Sequence, residues 1–154
     1  MKRLFVLLCL ISVTAIAVAA PRPEQQQLIG KWAHKRLEQR SGGKVVSSTE
    51  AKGDTFVEFS KDGTWQMSSP SATNGGTYFW VNRKEIDTTT KTSSIPAQVG
   101  WHSVKQVKVD ARSLTLVTKY DNVAVGEKLQ GAAGKAPPQM NVISIFEREE
   151  VAKP

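Results

Sequence analysis

Residues 56–67 run Phe56-Val57-Glu58-Phe59, then Ser60-Lys61-Asp62-Gly63, then Thr64-Trp65-Gln66-Met67. Two short runs rich in aromatic and β-branched residues flank an Asp-Gly pair, and that pair supplies the positive φ a tight hairpin turn needs. Strands joined this closely are antiparallel. The same pattern repeats outward in both directions, with strands predicted near 29–38, 43–48, 54–60, 63–69, 75–82, 84–89, 99–109, 113–119 and 140–148. Asn74-Gly75-Gly76 reads as a second turn and Asp110 to Ser113 as a third. From Ser113 to Tyr120 the alternation is clean, placing Leu114, Leu116, Thr118 and Tyr120 on one face. Residues 77–81 and 142–146 put apolar side chains on both faces, the pattern of strands covered on both sides. Eight or nine short strands in one small domain must manage their edges. A closed, antiparallel up-and-down barrel of about eight strands does so without added parts, and a β-sandwich is the alternative. The fold class is all-β in either case.

The two ends read differently from this middle. Met1-Lys2-Arg3 precedes an apolar run from Leu4 to Ile11, and Ala17, Val18, Ala19 and Ala20 stand just before Pro21. A basic start, an apolar centre and a small-residue exit are the parts of a secretory signal over residues 1–20, with Ala19 or Ala20 the last residue removed. A spanning anchor needs roughly 20 predominantly apolar residues, and Pro21 and Arg22 cut this run short. No transmembrane segment is expected after cleavage, and the expected location is periplasmic or secreted. Residues 21–27 read as a tether or a short helical lead-in, 28–149 as the barrel domain and 150–154 as a C-terminal tail. The stretch 121–139, rich in Gly and Ala and ending near Pro137-Pro138, is long for a hairpin connection. It reads as a mobile loop over a site or as disordered chain.

Composition removes several function classes. The only cysteine, Cys9, lies inside the signal, so the mature chain has no thiol for disulfides, zinc-cysteine sites or nucleophilic catalysis. Loss of Lys2 and Arg3 takes the formal charge from +7 to +5, well short of a nucleic-acid-binding signature. His34 and His102 are the only imidazoles, and no His-x-His or His-x-x-x-His spacing suggests a metal site. His34 is expected to share a face with Trp32 and Arg36. No Gly-x-Ser-x-Gly turn, paired carboxylates or phosphate loop is present, so the chain reads as non-enzymatic and without cofactor.

Gly30-Lys31-Trp32 resembles the Gly-x-Trp on the first strand of lipocalin and wider calycin barrels. Thr118-Lys119-Tyr120 is similar to their Thr-Asp-Tyr signature, with Lys119 in place of the acid, and Arg148 follows the last strand where the family carries an arginine. The chain thus resembles the abbreviated lipocalin-like domains of bacterial exported proteins. The resemblance implies that Trp32 and Arg148 pack together to close one end of the barrel, the cation stacked on the indole.

A barrel of this size either fills itself with side chains or holds one small ligand. Phe59, Trp65, Met67, Tyr78, Trp80 and Trp101 are the large side chains that would line a cavity for a small hydrophobic or amphipathic molecule, and they are equally what a small β core needs. An envelope protein-interaction module, of inhibitor or immunity type with a filled barrel, is the alternative. Lys35, Arg36, Arg40 and Lys44 form a basic cluster around the first hairpin, suited to an anionic envelope surface or an acidic protein. Lys105 and Lys108 are expected to share a solvated face of a later strand.

Overall fold

A computed structural model describes residues 22–120 and 140–149. The predicted signal, the 121–139 stretch and the tail lie outside the described residues. The chain opens with helix α1 (Pro23–Leu28) and continues through strands β1 (Gly30–Ser41), β2 (Lys44–Glu50), β3 (Phe56–Phe59), β4 (Thr64–Ser68), β5 (Thr73–Trp80), β6 (Glu85–Ser93), β7 (His102–Val109), β8 (Ser113–Tyr120) and β9 (Met140–Arg148). A 3-10 turn at Pro96–Gln98 precedes β7, which is why that strand starts later than the sequence suggests. Every adjacent pair is antiparallel, and β9 returns to β1, from Trp32 opposite Arg148 to Ser41 opposite Met140. That return closes an eight-stranded up-and-down barrel of β1 and β3–β9 and rules out the sandwich. Strand β2 is the ninth, paired only with the far half of β1 and exposed along its whole length.

The opening hairpin of the sequence reading forms as expected. Gly63 takes φ 81°, and Asp62 Oδ1 accepts from the Thr64 N–H at 2.9 Å and its hydroxyl at 2.6 Å. These bonds hold the Asp62 carboxyl below its ordinary range. Asn74-Gly75-Gly76 is a correction, because it lies inside β5 and carries a register shift instead of a turn. The physical reason is close approach: a Cβ on Gly76 would sit 1.9 Å from the Thr89 carbonyl oxygen. A second correction concerns β1, where a register shift between His34 and Arg36 inserts Lys35 as an extra residue. His34 therefore pairs with Phe146 and Arg36 with Ile145, which puts them on opposite faces. The expectation of two-sided cover also fails for 77–81. Phe79 and Val81 are exposed on the outer wall, because a single closed sheet has only one interior.

The core gathers toward the end of the barrel that α1 covers. Leu28, Trp32, Ile86 and Leu114 are fully buried, with Val57, Phe59, Val107, Leu116 and Phe146 packed around them. Pro23 opens α1 at a position where its missing N–H costs nothing, and the Arg22 N–H donates to Gln25 Oε1 at 2.9 Å. The Trp32 indole N–H then donates to the Leu28 carbonyl at 2.9 Å, fixing the helix exit to the floor. Arg148 completes the closure. Its guanidinium lies 4.2 Å from the Trp32 ring centre and donates to the carbonyls of Ala111, Ile29 and Gln27. Trp32 and Arg148 thus stack as the sequence resemblance implied.

Candidate ligand-binding cavity

The opposite half of the barrel is not filled. Alternation along β3, β4, β6, β7, β8 and β9 turns one side chain in two inward, and these, together with residues of both parities on β7 and β8 such as Val104, Gln106, Val117 and Lys119, border a cavity of about 700 Å³. Its apolar wall includes Val57, Phe59, Trp65, Met67, Leu116 and Phe146, and its polar wall includes Thr88, Thr90, Ser103, Lys105, Thr118 and Ser144. Gln98 and Trp101 stand at its margin, and Trp101 is 59% exposed.

The six large side chains singled out by sequence divide between two places. Phe59, Trp65, Met67 and Trp101 line the cavity. Tyr78 and Trp80 do not, and instead border a separate depression with Gln25, Ile29 and Lys61 beside α1. Tyr78 packs edge-on against Phe59, ring centres 5.2 Å apart, and its hydroxyl donates to the Ser60 carbonyl at 2.8 Å. Burial first, and the nearby Asp62 charge second, push that hydroxyl above its usual range, so it remains a donor at neutral pH.

The basic cluster is largely spent on local pairs. Lys35 Nζ lies 3.1 Å from Glu147, while Arg36 and Arg40 flank the buried Glu38 at 3.1 and 2.8 Å. Lys44 remains exposed at the hairpin tip. The two histidines do not converge: His34 packs against Phe146, and burial lowers its imidazole below the ordinary range. His102 instead lies 3.1 Å from Asp87 and borders the cavity from the start of β7. Among the described residues no group of three or more His, Cys, Asp or Glu side chains is placed to hold a metal.

Lys105 is the residue that sequence reasoning misplaced. It does not share a face with Lys108, because a separation of three along a strand puts two residues on opposite sides. Lys108 is exposed, whereas Lys105 turns inward with Val107 and Val109 and reaches the cavity. Its Nζ donates to Thr118 Oγ1 at 3.1 Å and Ser103 Oγ at 3.2 Å, and burial holds its ammonium below the usual range. Among the described residues it has no carboxylate partner within ion-pair distance.

Fold and site together define a class: a closed antiparallel barrel with one plugged end and a cavity of mixed polarity. No protein-family model matches the chain, and no curated protein matches it significantly. Among the described residues no helix is long and apolar enough to cross a membrane.

Proposed function

We propose that this chain is a non-enzymatic, exported lipocalin-like protein that binds a small hydrophobic or amphipathic molecule inside its barrel. In this reading residues 1–20 direct export, and the mature domain works in the periplasm or outside the cell. The observation that carries the proposal is the unfilled interior. About 700 Å³ lies within the range of roughly 300–1,000 Å³ typical of small-molecule sites, and a wall that sets apolar side chains beside polar ones suits a molecule with a hydrophobic body and a polar end. The order of the sequence motifs and the Trp32–Arg148 stack support the lipocalin-like part of the reading. A filled barrel acting through its loops has less support, because the interior is open. Recruitment to an anionic surface or acidic protein through Lys35, Arg36, Arg40 and Lys44 has less support too, since the first three already face carboxylates.

The test uses mature protein titrated with a panel of medium-chain alcohols, acids and fused-ring aromatics. Tryptophan emission reports on Trp65 and Trp101, and native mass spectrometry reports stoichiometry. Saturable one-to-one binding, with the emission change lost in Trp65→Phe, is the expected result. Silence of both readouts across the panel would overturn the proposal.

A further inference from the structure

The cavity wall carries two donors whose hydrogen-bonding capacity is not used by the protein. An ammonium has three N–H donors, and Lys105 spends two of them on Thr118 and Ser103. The third has no acceptor among the described residues, and the charge has no counter-ion there. Glu85 is the one carboxylate bordering this cavity among the described residues, and it accepts instead from the Asn82 side chain at 2.6 Å. Trp65 is the second case. Its indole N–H is buried in the same wall and has no hydrogen-bond partner among the described residues. A buried donor without an acceptor is destabilising, so an ammonium with an unused N–H suits a cavity that receives a polar group better than one meant only for hydrocarbon.

We propose that the molecule held in this cavity is an amphipathic acid, whose carboxylate is received by Lys105 on the Ser103–Thr118 wall while its apolar chain lies along Trp65, Met67 and Leu116. The proposal rests on the ligand-binding reading above and sharpens it. The two hydroxyls fix the ammonium without neutralising it, leaving a positioned cation for an incoming anion. Burial of Lys105, which disfavours its charged form when the cavity is empty, is relieved when a carboxylate arrives beside it.

Dodecanoate and dodecanol share a chain and differ in the head group. Each is titrated at neutral pH into wild-type protein, Lys105→Met and Thr118→Val, read by tryptophan emission and native mass spectrometry, with urea midpoints confirming that each variant is folded. Wild type is expected to prefer dodecanoate. Lys105→Met should weaken dodecanoate by about 10–100-fold, the equivalent of one charge-assisted hydrogen bond, and weaken dodecanol much less. Thr118→Val, which frees the ammonium from its hydroxyl, should weaken dodecanoate selectively and less, and it carries the test alone if Lys105→Met does not fold. Equal binding of both molecules by wild type and variants would overturn the carboxylate assignment and leave the cavity reading standing. Failure of wild type to bind dodecanoate while another molecule of the panel binds would overturn the carboxylate assignment alone, and silence across the whole panel would overturn both.

Discussion

Replacing Arg148 by alanine tests how much of the fold depends on its closed end. The guanidinium donates to three carbonyls and stacks on Trp32 at 4.2 Å, joining α1, the turn before β8 and the end of β9. The bond to Ala111 is exposed, and water replaces it at little cost. Those to Ile29 and Gln27 are partly buried, and hydrogen bonds to charged groups contribute about 1.5 kcal/mol each at the low end of their range. The stack adds about 1 kcal/mol, between the exposed and desolvated values for such contacts. Arg148→Ala should therefore destabilise the mature domain by about 4 kcal/mol, a large share of the roughly 5–15 kcal/mol available to a domain. Urea unfolding followed by tryptophan emission would show this as a midpoint lower by about 2 M for a slope near 2 kcal/mol/M. Arg148→Lys keeps the charge but not the planar fork, and should recover less than half of the loss. A fall of less than about 1 kcal/mol for the alanine variant would refute the idea that this cap is energetically important and reduce it to a contact that water replaces.

Two further outcomes follow from the interior. Leu114 is fully buried beneath the same cap, so Leu114→Ala should cost about 2–5 kcal/mol in urea unfolding, and a loss below about 1 kcal/mol would mean that the site collapses freely. Lys105 makes the empty barrel pH-dependent: its folded pKa is lowered, so between that value and its unfolded value near 10.4 the unfolded chain binds more protons. Stability should rise over that interval in wild type and lack this component in Lys105→Met; parallel urea midpoints of the two proteins from neutral pH to pH ~10 would contradict it.

What the sequence made legible was local. The Asp62-Gly63 turn and the alternation of Leu114, Leu116 and Thr118 each depend on a few neighbouring residues, and both appear as read. The choice between sandwich and barrel depends on whether β9 returns to β1, a pairing across almost the whole chain that no local pattern encodes. Single-residue insertions defeat alternation in the same way. The extra residue at Lys35 reverses the face of Arg36, and Gly75-Gly76 carries turn chemistry although its small size serves the approach of β6. Phe59, Trp65 and Met67 meet the cavity because large inward residues are needed on its strands, whereas Trp101 reaches only its margin from just before β7. Tyr78 and Trp80 were not distinguishable by type, since only position along the barrel axis separates cavity from floor. Lys105 was legible and overlooked: Val107 and Val109 mark its face as inward, and the general habit of lysine to sit in water outweighed that parity.

The pairing of β1 with β9 also bears on how the molecule reaches its native state. The first strand to be made holds its longest ladder with the last, and the Arg148 bond to Ile29 bridges a separation of 119 residues. Neighbouring hairpins such as β3–β4 and β7–β8 are free to form as they emerge, but the circle they belong to stays open until the final strand is available. Contacts of such high sequence separation make closure slow relative to hairpin formation. The seam is therefore the last part of the barrel to assemble, and the free edges of β1 and β8 are exposed for as long as it remains unjoined.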